Sequence, residues 1–303
     1  MVRRHGKSRQ GKQRWFCRVC GRTFVWKNVL SKYLRQRIWF TQWIVEGYNM
    51  RQLSIQSGHS ISTIRRMIQY WLLRPPCDPG NLSAYRYLIF DGTILKRPRG
   101  IFVVMDAESC SVLYGEPDVS EGPSDLRRFC VSLAQRELSP TSATVDGNKH
   151  LIKILRTLWP KIIIQRCLVH IQRQGLMWCR INPKRTDAKH LRELFLQVMS
   201  IHTPADRDRF LAKVKKWEQK YGHRIASLPE TGWVFSDLKR ARSMLLSALP
   251  DMFHYLDDPN IPNSTNALEG YFARLKQKYY QHRGLVKPHR DSYFIWYLHL
   301  CPR

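Results

Sequence analysis

Between Tyr85 and Cys167 the chain alternates apolar runs of strand length with amphipathic stretches of helix length, an order that leaves few folds open. The runs YRYLIFDGTIL and GIFVVMDAESCSVLYGE predict a strand and then a hairpin that turns near Asp106 to Ser109. In SDLRRFCVSLAQREL, apolar Leu126, Phe129, Cys130 and Leu133 stand at i, i+3, i+4 and i+7, the stripe of a helix with one buried face. A strand SATVD, a helix NKHLIKILRTLWP and an all-apolar strand KIIIQRC follow.

The resulting order, β-β-β-α-β-α-β, is that of an α/β, ribonuclease H-like core: a mixed sheet flanked by helices. From about 171 to 258 the sequence reads as an all-helical insertion, with AKHLRELFLQVMS, ADRDRFLAKVKKWEQKYG and SDLKRARSMLLSALPDMF as its clearest segments. RPPCDPGNLSA, with three prolines and a glycine, reads as a linker. The expected organisation is a partial zinc-ribbon-like piece over 1–28, a helix-turn-helix over 29–74, the linker over 75–84 and the α/β core with its insertion over 85–303.

Three acidic residues fall where such a fold exposes chemistry. Asp91 ends YRYLIF, Asp146 ends SATV 55 residues later, and Glu269 sits on a patterned helix after the turn-rich NIPNSTN. Acids at strand ends lie at the sheet edge where ligands bind. Carboxylates so placed can hold two divalent ions that activate a water or a 3′-hydroxyl and stabilise the leaving oxygen of a phosphodiester. Magnesium, or manganese in its place, suits oxygen ligands of this kind. Any protein with 23 acids offers many triplets, so their contexts carry the argument.

Charge points to the partner. Fifty-one Lys and Arg against 23 Asp and Glu, a net +28 spread along the chain, imply a polyanion bound through salt-sensitive contacts. Ten Trp and 13 Tyr exceed what a small basic scaffold of chromatin or the ribosome needs, so the charge clothes a large packed core. No apolar run approaches the ~18 residues of a membrane span. Of eight cysteines only Cys17 and Cys20 are close, which argues for reduced thiols and a cytoplasmic, nucleoid-associated protein.

WFCRVCGRTF places Cys17 and Cys20 in a CxxC turn followed by Gly21 and a Thr-Phe strand, one knuckle of a zinc ribbon. A tetrahedral zinc needs two more ligands, and only His5 upstream can ligate. The half motif reads either as a reduced pair without metal or as the remnant of an amino-terminal truncation. In EGYNMRQLSIQSGHSISTIRRMIQYW, a first helix over Met50 to Gln56, a turn at Gly58 and a second helix capped by Ser60 make a helix-turn-helix. Ile64, Met67, Ile68 and Trp71 form its buried stripe, leaving Ser62, Thr63, Arg65, Arg66 and Gln69 to face a major groove; the competing reading is an ordinary amphipathic pair. Cys167 and His170 make a CxxH at a strand end, better read as a buried structural pair than as half a metal site. In NSTNALEGYFARLKQKYYQHRGL, Asn263 or Ser264 caps a helix with Leu268, Phe272, Leu275 and Tyr279 inward, and Glu269 stands beside Arg274, Lys276 and Lys278. Those cations, with His282, Arg283 and Lys287, suit a DNA backbone.

IFDGT, VDGNKHL, QRCLVH and TNALEGYFARLK with HRGL, in this order and with a helical insertion before the glutamate, resemble bacterial insertion-sequence transposases of the Mutator-like DDE lineage. The resemblance covers about residues 85 to 290. It implies a ribonuclease H-like core with Asp91, Asp146 and Glu269 at the metal-binding positions, and a CxxH signature that shapes structure near the site. It implies a DDE transposase that binds double-stranded DNA, both terminal inverted repeats and target, and that cuts and transfers strands as a homo-oligomer. The missing first zinc knuckle keeps a second expectation alive, a non-catalytic truncated copy that binds the same ends and represses transposition.

Overall fold

The computed structural model describes all residues except 27–28, 77–79, 97–98 and 228–232, and the side chains at 29–33, 35, 96, 99 and 233–235 also lie outside the description. Cys77, inside the expected linker, is among the residues not described. The chain forms two compact units, Met1–Arg74 and Pro75–Arg303.

The first unit opens with a three-stranded antiparallel meander of β1 (Val2–Lys7), β2 (Gln13–Cys17) and β3 (Thr23–Val25). The sequence suggests only the last of these strands. VRRHGK has no apolar alternation, and β1 is exposed along its whole length, held by backbone pairing to β2 from Val2↔Cys17 to Lys7↔Gln13. Three helices follow: α1 (Val29–Val45), α2 (Met50–Ser57) and α3 (Ile61–Leu72). A capping box starts α2, the Asn49 side chain accepting from Arg51 N and Gln52 N at 3.0 Å each while Gln52 Oε1 accepts from Asn49 N at 2.9 Å. Gly58, at φ +68°, ends α2 in the left-handed conformation that a glycine adopts without penalty. Ser60 then caps α3 through Thr63 N. Ile64, Met67, Ile68 and Trp71 are buried against Phe40, Trp43, Ile44 and Leu53, so the apolar stripe read from the sequence is the core of this unit.

The second unit is mixed α/β. Its strands are β4 (Tyr87–Lys96), β5 (Arg99–Asp106), β6 (Val112–Val119), β7 (Ser142–Val145) and β8 (Ile163–Arg166), in sheet order β6-β5-β4-β7-β8. The first three are antiparallel, and β4, β7 and β8 run parallel. Helix α4 (Pro123–Gln135) connects β6 to β7, and α5 (Lys149–Leu158) connects β7 to β8. Leu126, Phe129, Cys130 and Leu133 of α4, with Leu151 and Leu155 of α5, bury against Leu88, Phe90, Val104, Ala143, Val145 and Ile164 on one face of the sheet. Each fully buried Leu or Phe there contributes about 1.5–3 kcal/mol.

After β8 the chain leaves the sheet for a helical bundle with its own core: α6 (Leu168–Cys179), α7 (Thr186–Gln197), α8 (Pro204–Trp217), α9 (His223–Ser227) and α10 (Trp233–Ala248). Gly175 lets α6 approach α7 so closely that a Cβ there would lie 2.3 Å from the Phe195 ring. The bundle returns to the sheet where Gln165 on β8 donates to Met252 O at 2.9 Å. Two last helices, α11 (Asn266–Tyr279) and α12 (Lys287–Leu300), follow; α12 packs on β6, where Gly115 faces Leu298. Among the described residues no helix is long and apolar enough to cross a membrane.

Candidate active site

Sheet alternation decides where two of the acids point. Leu88 and Phe90 face the α4–α5 core, so Asp91 shares the opposite face with Ile89. On the parallel neighbour, Thr144 pairs with Ile89 and donates from its hydroxyl to Pro262 O at 2.8 Å, on the side to which the chain returns before α11. That ladder ends at Ile89 and β7 at Val145, so Asp91 and Asp146 both lie just past it, and the charge of Asp146 acts on Asp91. Asp91 is not at the end of its strand, as the sequence suggests. β4 continues to Lys96 because β5 still pairs with it, Asp91 opposite Val103, while its pairing to β7 stops at Ile89. The parallel ladder, not the strand, ends near Asp91.

Asp146 begins a tight turn, its carboxylate accepting from Gly147 N at 2.5 Å and Asn148 N at 2.9 Å. Asn148 in turn caps α5 through His150 N and Leu151 N. Gly147, at φ +142°, leaves room for the buried Arg166 guanidinium, whose Nη2 would lie 2.1 Å from any Cβ there. Arg166 Nε donates to Asp146 O at 3.3 Å. Burial lowers the Arg166 pKa, opposed by the charges of Asp146 and Asp251.

The CxxH pair begins where β8 ends, as the sequence suggests, and runs into a helix. Cys167 is the first residue after β8 and the N-cap of α6, which puts His170 in the helix's first turn. There His170 Nδ1 lies 3.2 Å from Cys167 Sγ and Nε2 lies 3.6 Å from Glu269 Oε1. Neither Asn263 nor Ser264 caps α11. The N-cap is Thr265, and its hydroxyl makes no capping bond because it lies 3.6 Å from Cys167 Sγ and 3.4 Å from His170 Nδ1. Glu269, one turn into α11, is met by Arg173 of α6, Nη1 to Oε1 and Nη2 to Oε2 at 3.3 Å each.

These groups share one electrostatic field. Burial is the largest cause that pushes the Asp91 carboxyl up to about 7; the Gly92 N–H opposes it, the Asp146 charge adds, His170 opposes and Glu269 adds. The bond to Cys167 raises His170 to about 9 against burial, helped by the charges of Cys167, Asp91 and Asp146. Burial is the largest single influence and resists ionisation of the Cys167 thiol, yet the bonds and charge of His170 and the Thr265 N–H together hold the thiol below its usual range. Glu121 is raised by burial and by Asp146. The donor chemistry of Asp91, Asp146 and Glu269 fits a hard divalent cation. Among the described residues, no three Asp, Glu, His or Cys side chains are already gathered into a metal cage. The Glu269 carboxylate is taken up by Arg173 and His170 instead.

The other expected site residues lie elsewhere. On α3, Ser62, Arg65, Arg66 and Gln69 are exposed and Thr63 is half-buried, with Arg66 donating to Ser62 O and Thr63 Oγ1 at 3.4 Å each. Arg274 lies over the Tyr271 ring at 5.8 Å and Arg283 over Tyr280 at 4.9 Å, while Lys276 and Lys278 are half-buried. His282 is not on the basic surface. It is buried, edge-on to Tyr293 at 5.4 Å, because α12 folds back over the end of α11. Cys17 is half-buried and Cys20 exposed, with backbone and side-chain bonds from Cys20 and Val19 lowering the Cys17 pKa. His5 pairs its ring with Phe16 at 5.7 Å, and among the described residues no third ligand joins the two thiols.

Sequence reasoning passes over Thr265, Arg166 and Arg173. Only Arg173 leaves a signal, standing three residues after His170 on one helical face.

No curated protein matches the sequence. The family model described as "Transposase, Mutator family" matches residues 81–285, from the approach to β4 through Glu269 to the end of the α11 region. That span is more than half of the chain and holds every element just described around the acids, so this protein belongs to the Mutator family of transposases.

Proposed function

We propose that the protein cuts and joins DNA at a ribonuclease H-like DDE site made of Asp91, Asp146 and Glu269. The observation that carries this reading is the convergence of groups on the acids: Glu269 lies 3.6 Å from His170, and the charges of His170, Asp146 and Glu269 all act on the buried Asp91 carboxyl. Burial beside two further carboxylates makes the ionised Asp91 unfavourable on its own, a cost that a bound divalent cation would relieve. Asp91 and Asp146 would share two magnesium or manganese ions and Glu269 would complete the coordination of one. A bound ion of this class supplies Lewis-acid activation of a water or 3′-hydroxyl and stabilises the leaving oxygen.

The chain's own residues do the rest. Asp91, on a strand with partners on both sides, and Asp146, tied by Gly147 N and Asn148 N, are rigid; Glu269 rides on α11 and can exchange Arg173 for a cation without moving backbone. The exposed Lys and Arg excess holds the phosphate backbone in line for attack. Residues 1–74 bind the element's own terminal inverted repeats, with α2 and α3 as a helix-turn-helix whose second helix presents Arg65, Arg66 and Gln69. Synapsis of two ends calls for at least a dimer on DNA, and such a protein works at the nucleoid. Zinc has no part in this reading, because Cys17 and Cys20 supply only half of a structural site.

The test is nicking of a duplex that carries an element end, with and without magnesium. Asp91→Asn, Asp146→Asn and Glu269→Gln should each abolish nicking and leave end binding within about twofold, since none contacts DNA except through the bound ions. Wild-type nicking that persists in chelator, or in any of the three variants, would overturn the assignment. Specific binding with no nicking under any metal would leave a regulator of transposition.

A further inference from the structure

A groove of about 1030 Å³ opens beside Asp146 and His170. One wall is a single face of α5, with Lys149, Ile152, Lys153, Arg156 and Thr157 at i, i+3, i+4, i+7 and i+8. Across from it the helical bundle contributes Gln174 and Trp178 of α6 and Arg240 of α10. The insertion between β8 and α11 therefore builds the second wall of a channel that begins at a proposed catalytic acid.

Its charge is sorted. Arg156 is bound to Asp251 by two bonds of 2.8 Å, and Arg240 lies 3.8 Å from Asp237, so these cations are already paired. Lys149 and Lys153 are exposed, and among the described residues neither has an acidic partner. They stand one helical turn apart, a rise of about 6 Å, which is close to the separation of successive phosphates along an extended strand. Trp178, half-buried in the facing wall, offers an aromatic surface to the groove. In a duplex the faces of the bases are stacked on one another, and a single row of lysines meets only one backbone. An unpaired strand presents both a lone backbone and free base faces.

We propose that this groove holds an unpaired DNA strand as it leaves the Asp146 end of the site, its phosphates on Lys149 and Lys153 and a base against Trp178. The assignment rests on the DDE reading for the orientation of the strand, and it gives the helical insertion a role: it separates one strand from its complement beside the cut.

The test uses the full chain in chelator, where no cutting occurs, and fluorescence anisotropy against two probes: a blunt element-end duplex and the same duplex with a single-stranded tail at the cut position. The tail should tighten binding about tenfold, and Trp178→Ala or Lys149→Gln with Lys153→Gln should erase that gain while blunt-duplex affinity stays within about twofold. Trp178→Phe should keep most of the gain, which separates stacking from loss of fold. No gain from the tail in the wild type, or equal losses on both probes in the lysine variant, would overturn the proposal, the latter placing duplex in the groove. Because nicking plays no part in this measurement, failure here leaves the acid assignment standing, and failure of the Asp91→Asn nicking test leaves the groove standing.

Discussion

The sulfur of Cys167 accepts the backbone N–H of Thr265, 98 positions further along the chain, at 3.3 Å. That bond closes the long excursion through the helical bundle. It ties the residue just after β8 to the N-cap of α11, and Glu269 lies four residues further on. Leu168 N donates to Asn263 O at 2.9 Å beside it, so the two segments meet as a short clamp.

Cys167→Ala should therefore destabilise the protein by about 1–3 kcal/mol, because Thr265 is fully buried and its N–H would lose its acceptor. Cys167→Ser restores an acceptor on a shorter bond and should recover part of that loss. Urea midpoints of the three proteins measure it. An unchanged midpoint for Cys167→Ala would mean that the sulfur holds nothing.

The Asp91 carboxyl is raised from 3.8 to about 7, so in the metal-free protein its contribution to stability is full below about pH 4 and is lost as pH rises through about 7. A divalent cation binds the ionised form, so the sign reverses when magnesium is present. The rise in Tm on adding magnesium should grow between about pH 6 and about pH 8, and Asp91→Asn should flatten that growth. A magnesium effect independent of pH would show that Asp91 does not release a proton to the ion.

Gly147→Ala places a methyl against the Arg166 guanidinium and puts an alanine at φ +142°. The strained backbone alone costs about 1–3 kcal/mol. Asp146 sits at this turn, so nicking should fall more than stability does, measured on protein held well below its melting temperature. A variant as active and as stable as the wild type would remove Gly147 from the account of the site.

Arg65 and Arg66 should contribute to recognition by different routes. Replacing a phosphate contact by Ala should weaken binding to every duplex and flatten the salt slope by about one unit, while replacing a base contact should cost ~1–3 kcal/mol on the element end alone. Ser60→Ala, which removes the cap of α3, should cost about 1 kcal/mol of stability in this unit. Equal affinities of both arginine variants and the wild type for element ends would reject α3 as the reading helix.

Much of the second unit could be read from periodicity. The α4 stripe of Leu126, Phe129, Cys130 and Leu133 is fully buried, and the strand and helix order from β4 to β8 follows the alternation of apolar runs. The ends of elements were harder. A polar residue after an apolar run suggests a strand end at Asp91, yet backbone pairing to β5 extends the strand regardless of side-chain polarity. β1 escaped for the same reason, its VRRHGK being held by the backbone alone.

The sequence by itself determined the residue types and their order: acids after apolar runs, a Cys and a His three residues apart, a basic surface over an aromatic-rich core. Those are properties of composition and spacing, which persist in any conformation. Only the tertiary structure decided that Thr265 spends its hydroxyl on Cys167 and His170, that Glu269 faces Arg173, and that α5 and the helical bundle enclose a groove beside Asp146. The first two join residues 95 to 98 positions apart, and the groove brings α5 against both α6 and α10; such contacts depend on how helices pack and where the chain returns to the sheet, which no local pattern encodes.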